Sequence, residues 1–290
     1  MSILSRLLGK KKATTPPPQT RVIAAFPDNY VAEVKTMIKL IQSYSDETTE
    51  EEIESVNEFY FNTIDWINHG VDVNLESFYD LIASIMKYMR SQVSTDGGND
   101  FRLDNELYSE GIQGNDFYLD PKNEWFLLKL IAIGPEADHF LCCLLSELRT
   151  RLSQSFIDLS LEIVMKRSTL NDCNHIQDWP TKYSLNADVE VSGNVIAEFI
   201  QSDRLTEVQI SHVIKFLKKI GKNLEQWQID TCDFHLAQST LTPSDYLLNL
   251  TQNHSSRFGW VKEANGEWDF IEISISALAQ RNLQVRGLSI

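Results

Sequence analysis

An apolar block from Trp125 to Val164 constrains the fold of this chain more than any other stretch. It is interrupted at Gly134-Pro135 and then continues with apolar residues at steps of three and four, a spacing that puts them on one face of a helix. These residues are Phe140, Leu141, Leu144, Leu145, Leu148, Leu152, Phe156, Leu159 and Leu161. The pattern predicts one long helix at the centre of an α-helical body.

The remaining sequence also favours helices. Only 12 glycines and 8 prolines occur in 290 residues, which is too few for a fold made of many short strands. The exception is the stretch 258–273, where apolar and polar residues alternate on both sides of Asn265-Gly266, a pair suited to a tight hairpin turn. We therefore expect a mainly α protein, a multi-helix body around the long central helix, with one β-hairpin near the C-terminus.

Helix starts are marked by residues that cap free backbone amides. The ranges Thr49–Glu52 and Thr206–Gln209 have the capping-box spacing, in which a hydroxyl and a longer polar side chain satisfy each other's backbone. Asn74 is a candidate cap for a third helix, and Asp120 precedes Pro121 at the start of the central block. These signals predict helix starts near 50, 75, 121 and 207.

Three regions can be separated by composition. Residues 1–20 combine a short basic amphipathic segment with a proline-rich tether, in which consecutive prolines favour an extended chain. An acidic helical domain is predicted at 21–168 and a smaller helical sub-domain, with the hairpin, at 169–290. Whether the regions 21–168 and 169–290 share one hydrophobic core is left open.

The formal net charge of −15 is unevenly distributed. Residues 1–22 carry five basic side chains and no acid, residues 23–140 carry 7 basic and 23 acidic side chains, and residues 141–290 carry 14 and 18. So negative a body repels nucleic-acid phosphates, and we expect no nucleic-acid partner. The charge favours a basic protein partner, or serves solubility alone.

Localisation is predicted from what the chain lacks. The four cysteines form no dense pattern, which favours a reducing compartment. No apolar run reaches the roughly 20 residues of a membrane span, and the first residues do not have the charge order of a signal peptide. We expect a cytoplasmic protein, with peripheral attachment to the inner face of a membrane as the alternative, through weak contact by the N-terminal segment.

Metal ligands are the main enzymatic alternative. Cys173 with His175 and Cys232 with His235 offer two sulfurs and two imidazoles, but their spacing differs from that of zinc sites. The range Glu136–His139 has the Glu-x-x-His spacing of di-iron bundles without the second copy they require. We expect no metal or cofactor. A metal-dependent hydrolase or other metalloenzyme, with a site built from these scattered His, Cys and Glu residues, remains the alternative function.

No nucleophile elbow or phosphate-binding loop is present, so an enzyme has no positive support. The sequence favours a non-catalytic interaction protein, an adaptor or a subunit of a larger assembly, with a basic protein as partner. Phe117 and Tyr118 are included as aromatic anchors, although both are equally suited to filling the edge of the core. The predicted partner-binding residues are Ile3, Leu4, Leu7, Leu8, Lys10, Lys11, Lys12, Glu50, Glu51, Glu54, Phe117 and Tyr118.

Overall fold

The computed structural model describes residues 24–44, 49–93, 116–148, 151–170, 173–177, 189–262 and 268–288. The helices of the first half are α1 Tyr30–Gln42, α2 Glu50–Asn68, α3 Leu75–Val93, α4 Asp116–Leu119, α5 Glu124–Ile131, α6 Asp138–Leu148 and α7 Gln154–Val164. The later elements are β1 Cys173–Gln177, β2 Val189–Gly193, α8 Val195–Gln201, α9 Glu207–Ile220, α10 Gln226–Gln238, α11 Ser244–Leu250, β3 Ser256–Lys262, β4 Trp268–Ser274 and α12 Ile275–Val285.

The predicted fold class is confirmed. The protein is mainly α, and β3 and β4 form an antiparallel pair near the C-terminus, in register from Ser256↔Ser274 to Lys262↔Trp268. This pair coincides with the hairpin predicted at 258–273. The residues between the strands, 263–267, include Asn265-Gly266 and lie outside the described ranges.

The predicted helix caps are also confirmed. Asn74 Oδ1 accepts a hydrogen bond from the Ser77 amide at 2.9 Å. Asp120 Oδ1 accepts one from the Lys122 amide at 3.0 Å, and a short 3-10 turn begins at Pro121. Each cap satisfies an amide that has no partner inside its own helix, which is why these positions end the preceding loops.

The buried apolar side chains form one cluster to which both halves of the chain contribute. Helix α8 packs against α6 and α7. Polar bonds also tie the residues after α8 to the first half: Arg204 Nη2 donates to the Leu152 carbonyl at 3.1 Å, and Gln209 Nε2 of α9 donates to Asp158 Oδ1 of α7 at 2.8 Å. The domain boundary at 168/169 stays a prediction, and the apolar core is continuous across it.

The prediction of a single long central helix is wrong. The block contains three helices, and the stretch predicted to be continuous from Phe140 is divided into α6 and α7. The division lies before Ser153, whose amide and hydroxyl both donate to the Glu124 carboxylate, at 2.8 and 2.6 Å. Because the amide of Ser153 is used by a side chain of α5, it is not available to an intrahelical carbonyl. Ser153 then caps α7 by accepting from the Phe156 amide at 3.0 Å.

The connection at 168–191 contains a strand that the sequence did not predict. Strand β1 pairs antiparallel with β2, from Cys173↔Gly193 to Gln177↔Val189. Asn194 follows β2 directly and caps α8 by accepting from the amides of Ile196 and Ala197, each at 3.1 Å. The pairing escaped prediction because only β2, Val-Glu-Val-Ser-Gly, alternates apolar with polar residues, whereas its partner β1, Cys-Asn-His-Ile-Gln, does not.

Candidate functional site

Three carboxylates of α2, Glu51, Glu54 and Glu58, are exposed and lie on one face of the helix; we call them the acidic stripe. The helix carries six acidic residues and no lysine or arginine. Within the described ranges, no hydrogen bond or ion pair involves the side chains of the stripe. The stripe is therefore a line of negative charge along one face of α2.

A capping box fixes the start of α2, the helix on which the stripe lies. The Thr49 amide and hydroxyl donate to Glu52 Oε2 at 2.9 and 3.0 Å, and the Glu52 amide donates to Thr49 Oγ1 at 3.3 Å. The hydrogen bonds from the Thr49 backbone and side chain lower the pKa of Glu52. The opposite face of the helix is buried through Val56 and Tyr60, so the stripe must face outward.

An aromatic cluster fixes the chain entry against the C-terminal half of α2. Trp66 Nε1 donates to the Ala24 carbonyl at 2.7 Å, and the ring of Phe26 meets that of Trp66 edge-on with centroids 5.2 Å apart. Tyr30 stacks on Phe59 with centroids 5.7 Å apart. The first described residues are thus tied to the helix that carries the stripe.

Glu76, an exposed carboxylate at the start of α3, differs from the stripe because it is paired with a lysine of α5. Lys129 Nζ lies 2.7 Å from both Glu76 oxygens and 4.0 Å from the centre of the Tyr79 ring. One helical turn before Lys129 on α5, Trp125 is 53% exposed. With its acid neutralised by a lysine, this surface offers less free negative charge than the stripe.

Helix α10 buries a run of polar side chains centred on Asp233, which is 6% exposed. Tyr246 Oη donates to Asp233 Oδ1 at 2.8 Å, and Asn253 Nδ2 donates to Oδ2 at 3.4 Å. Burial nevertheless raises the pKa of Asp233 to about 6, since the two hydrogen bonds only partly offset the loss of water.

Arg257 of β3 ties the hairpin to the same helix. Its Nη2 donates to the Trp227 carbonyl and to Thr231 Oγ1. Burial lowers the pKa of the Arg257 guanidinium, and the charge of Asp230 opposes that shift. This network anchors β3 on α10.

Among the described residues, no group of three His, Cys, Asp or Glu side chains is placed to hold a metal ion. The Cys232 thiol is fully buried and donates to Asn194 Oδ1 at 3.4 Å, and burial raises its pKa to about 12. Cys173 and His175 lie on β1, and Glu136 lies in the 3-10 turn before α6.

The predicted partner-binding residues fall into three groups. Glu50, Glu51 and Glu54 lie in the first turns of α2, and Glu51 and Glu54 are exposed. The predicted N-terminal residues, Ile3 to Lys12, lie outside the described ranges. Glu58, which extends the acids by one turn, was missed although its spacing of four from Glu54 is a sequence signal.

Phe117 and Tyr118 require a correction. They are 2% and 1% exposed, so the interpretation as exposed anchors is wrong and the alternative, core filling, is right. Tyr118 Oη lies 2.5 Å from Tyr60 Oη, and Phe117 meets Phe126 edge-on with centroids 5.4 Å apart. The two rings are buried because α4 packs against α2 and closes this side of the core.

Within the described ranges, no helix combines the length and apolar character needed to cross a bilayer. No protein-family model, curated protein or solved structure matches this chain.

Proposed function

We propose that this protein is a non-catalytic interaction protein, an adaptor or a subunit of a larger assembly, that binds a basic protein partner through the acidic stripe. The observation that supports it is the stripe itself: three exposed carboxylates on one helix face, on a helix without a single lysine or arginine. No comparable set of converging catalytic groups supports an enzyme within the described ranges.

The physics of such a surface determines what its binding should look like. Exposed ion pairs contribute about 0.2–1 kcal/mol each, so several must act together and the complex weakens as salt screens them. Their main effects are on the rate of association and on the choice of partner, since a negative surface attracts basic proteins and repels acidic ones. Binding that depends on the stripe must therefore be sensitive to salt.

A pulldown comparing matched variants tests the proposal. Full-length protein is immobilised and exposed to the cytosolic fraction, the compartment we propose, at ~0.15 M salt, a concentration at which the screening length is about 8 Å. We expect a basic protein to be retained and released as salt is raised. The triple variant Glu51→Gln, Glu54→Gln, Glu58→Gln should lose it, because the substitutions remove three charges and leave the inner face of α2 intact.

A control variant removes the same number of negative charges from three other helices. Glu162→Gln, Glu207→Gln and Asp245→Asn remove three exposed carboxylates from α7, α9 and α11. Partner retention should survive in this variant. Retention that is equal in both triple variants, or the absence of any basic protein from the eluate, would overturn the proposal; recovery of the protein only from the membrane fraction would contradict the compartment.

A further inference from the structure

The last four elements, α11, β3, β4 and α12, attach to α10 through a series of polar side chains; we call these four elements the C-terminal unit. Asn282 Nδ2 of α12 donates to the carbonyls of Ala237 and Ser239, at 2.8 and 3.0 Å. Arg286, which follows α12, donates from Nη2 to the Ser239 carbonyl at 3.0 Å. Arg257 of β3 bonds to the other end of α10, so the polar contacts are distributed along the whole helix.

The two helices of the unit bury few apolar side chains. Those of α11 and α12 are all aliphatic, without an aromatic ring: Leu247, Leu250, Ile275, Ala279 and Leu283. Helices α6 and α7, in contrast, also bury the rings of Phe140 and Phe156. Apolar burial is the dominant favourable contribution to packing, and elements with few buried apolar contacts open most readily. Helices α11 and α12 therefore depend on their polar bonds to α10 more than α6 and α7 depend on theirs.

A buried acid without a cation lies where the unit meets α10. Asp233 is 6% exposed and accepts from Tyr246 of α11 and from Asn253, which lies between α11 and β3. Within the part of the chain that the structure describes, it forms no ion pair, whereas Asp138, the buried acid of α6, is paired with Arg167. A carboxylate without a cation loses hydration when the unit closes over it, so its charge favours the open form.

The charged and titratable groups around Asp233 do not supply the missing cation. The charge of Asp230 raises the pKa of Asp233 further, and Lys218 of α9 lies over the Tyr246 ring, 5.4 Å from its centre. Tyr246 is the one group among them that bonds to Asp233. The described elements that pack here contribute Asp230, Cys232 and His235 of α10, Glu198 of α8, Lys218 of α9, Asp245 and Tyr246 of α11, Arg257 of β3, and Arg281 and Arg286 at α12.

We propose that the C-terminal unit is a clasp that opens from α10 as one cooperative body while α6 and α7 stay folded, and that the unpaired charge of Asp233 sets how often it opens. A proton on Asp233 closes the clasp more firmly, and loss of that proton loosens it. The clasp is independent of the acidic stripe, which lies on α2.

The size of the effect follows from hydration of the carboxyl in the open clasp. Burial raises the pKa of Asp233 from 3.8 to about 6, and opening returns it to the ordinary value. Closure is therefore favoured most below pH ~4, and this advantage is lost as pH rises through about 6. The charge should increase the opening equilibrium about a hundredfold at pH 7 but only about tenfold at pH 5. His235 acts in the opposite direction, because burial lowers its pKa to about 4, so the effect is measured as the difference from Asp233→Asn, which retains His235.

Amide hydrogen exchange of the full-length protein, followed by mass spectrometry at pH 7 and pH 5, tests the clasp. After correction for intrinsic exchange at each pH, peptides from α11 and α12 should share one degree of protection, lower than that of α6 and α7. Asp233→Asn should slow exchange in α11 and α12 about a hundredfold at pH 7 and about tenfold at pH 5. The matched control, Asp245→Asn, removes an exposed carboxylate of α11 and should leave the exchange unchanged.

A second variant separates opening of the clasp from unfolding of the whole chain. Ser153→Ala weakens the junction of α6 and α7, so it should speed exchange there and leave α11 and α12 unchanged. Equal acceleration of all four helices, or equal protection of all four in the unaltered chain, overturns the clasp. Different protection of α11 and α12 shows that they do not open as one body. Exchange in Asp233→Asn as fast as in the unaltered chain, or an equal effect of Asp245→Asn, removes Asp233 as the controlling group.

Discussion

Asp233 is an acid held where its charged form is unfavourable. Its carboxyl lies in the network between α10 and α11 with two hydrogen-bond donors, Tyr246 and Asn253. Burial is the largest influence on its pKa, and the charge of Asp230 acts in the same direction. The folded protein therefore keeps a proton on Asp233 at pH values where the unfolded chain releases it.

The consequence for stability follows from the raised pKa. The pKa of Asp233 is about 6 in the folded protein against 3.8 ordinarily, so its contribution is greatest below pH 4 and is lost as pH rises to 6. That loss amounts to roughly 2–3 kcal/mol of unfolding free energy. Asp233→Asn removes the titration. In urea unfolding between pH 4 and 7.5, the free energy of unfolding of the variant should therefore rise relative to that of the unaltered protein as pH increases.

The contribution of His235 to stability changes with pH in the opposite direction over the same range, so the Asp233 effect must be measured against it. Burial, followed by the charge of Arg257, lowers its pKa from 6.5 to about 4, so its contribution is present above pH 6.5 and lost as pH falls. The difference between Asp233→Asn and the unaltered chain cancels the His235 effect. If that difference does not vary with pH, Asp233 has no raised pKa.

At the scale of elements, the junction between α6 and α7 depends on one serine. Ser153 caps α7 and also donates two hydrogen bonds to the Glu124 carboxylate of α5. Helix caps of this kind contribute about 0.5–2 kcal/mol. The bonds to a charged group add to that figure, since each contributes roughly 1.5–3 kcal/mol.

We expect Ser153→Ala to lower the free energy of unfolding by about 2–3 kcal/mol, through the lost cap and the lost hydroxyl bond to Glu124. Ser153→Thr keeps the hydroxyl and should lose less than half of that. Urea unfolding monitored by circular dichroism measures both. An alanine variant as stable as the unaltered protein would show that the break between α6 and α7 has another cause.

At the scale of the whole molecule, a buried ion pair joins three helices of the core. Arg167, after α7, pairs with Asp138 at the start of α6, and both side chains are almost fully buried, at 7% and 0% exposure. Arg167 Nη2 also donates to the Ile131 carbonyl at the end of α5, at 2.7 Å. Each charge in this apolar core is tolerated because the other is present, and a single charge left there without its partner is strongly unfavourable.

Removing one partner should therefore cost more than removing both. We expect Arg167→Met to reduce the free energy of unfolding by about 3–5 kcal/mol, because Asp138 is left charged in the core. Adding Asp138→Leu should recover most of this loss, since an apolar pair of similar size needs no solvation. Urea unfolding of the two variants decides it; a double variant less stable than the single one would contradict the argument.

The candidate surface was predictable from the sequence only in part. The acids of α2 stand in one helical pattern after a capping box, so their common face follows from the sequence alone. The position of Ala24 against Trp66 does not, because the two residues are 42 apart and no local pattern joins them.

By itself, the sequence determined the helical class, the C-terminal hairpin and the helix starts. These depend on interactions over three or four residues, such as Thr49 with Glu52, or on alternation within one strand pair. Tertiary structure alone decided the break before Ser153, which bonds to Glu124 29 residues away, and the burial of Tyr118, whose hydroxyl meets that of Tyr60 58 residues away. The physical reason is that a buried polar group must find a partner wherever the fold brings one, and sequence spacing does not record which partner that is.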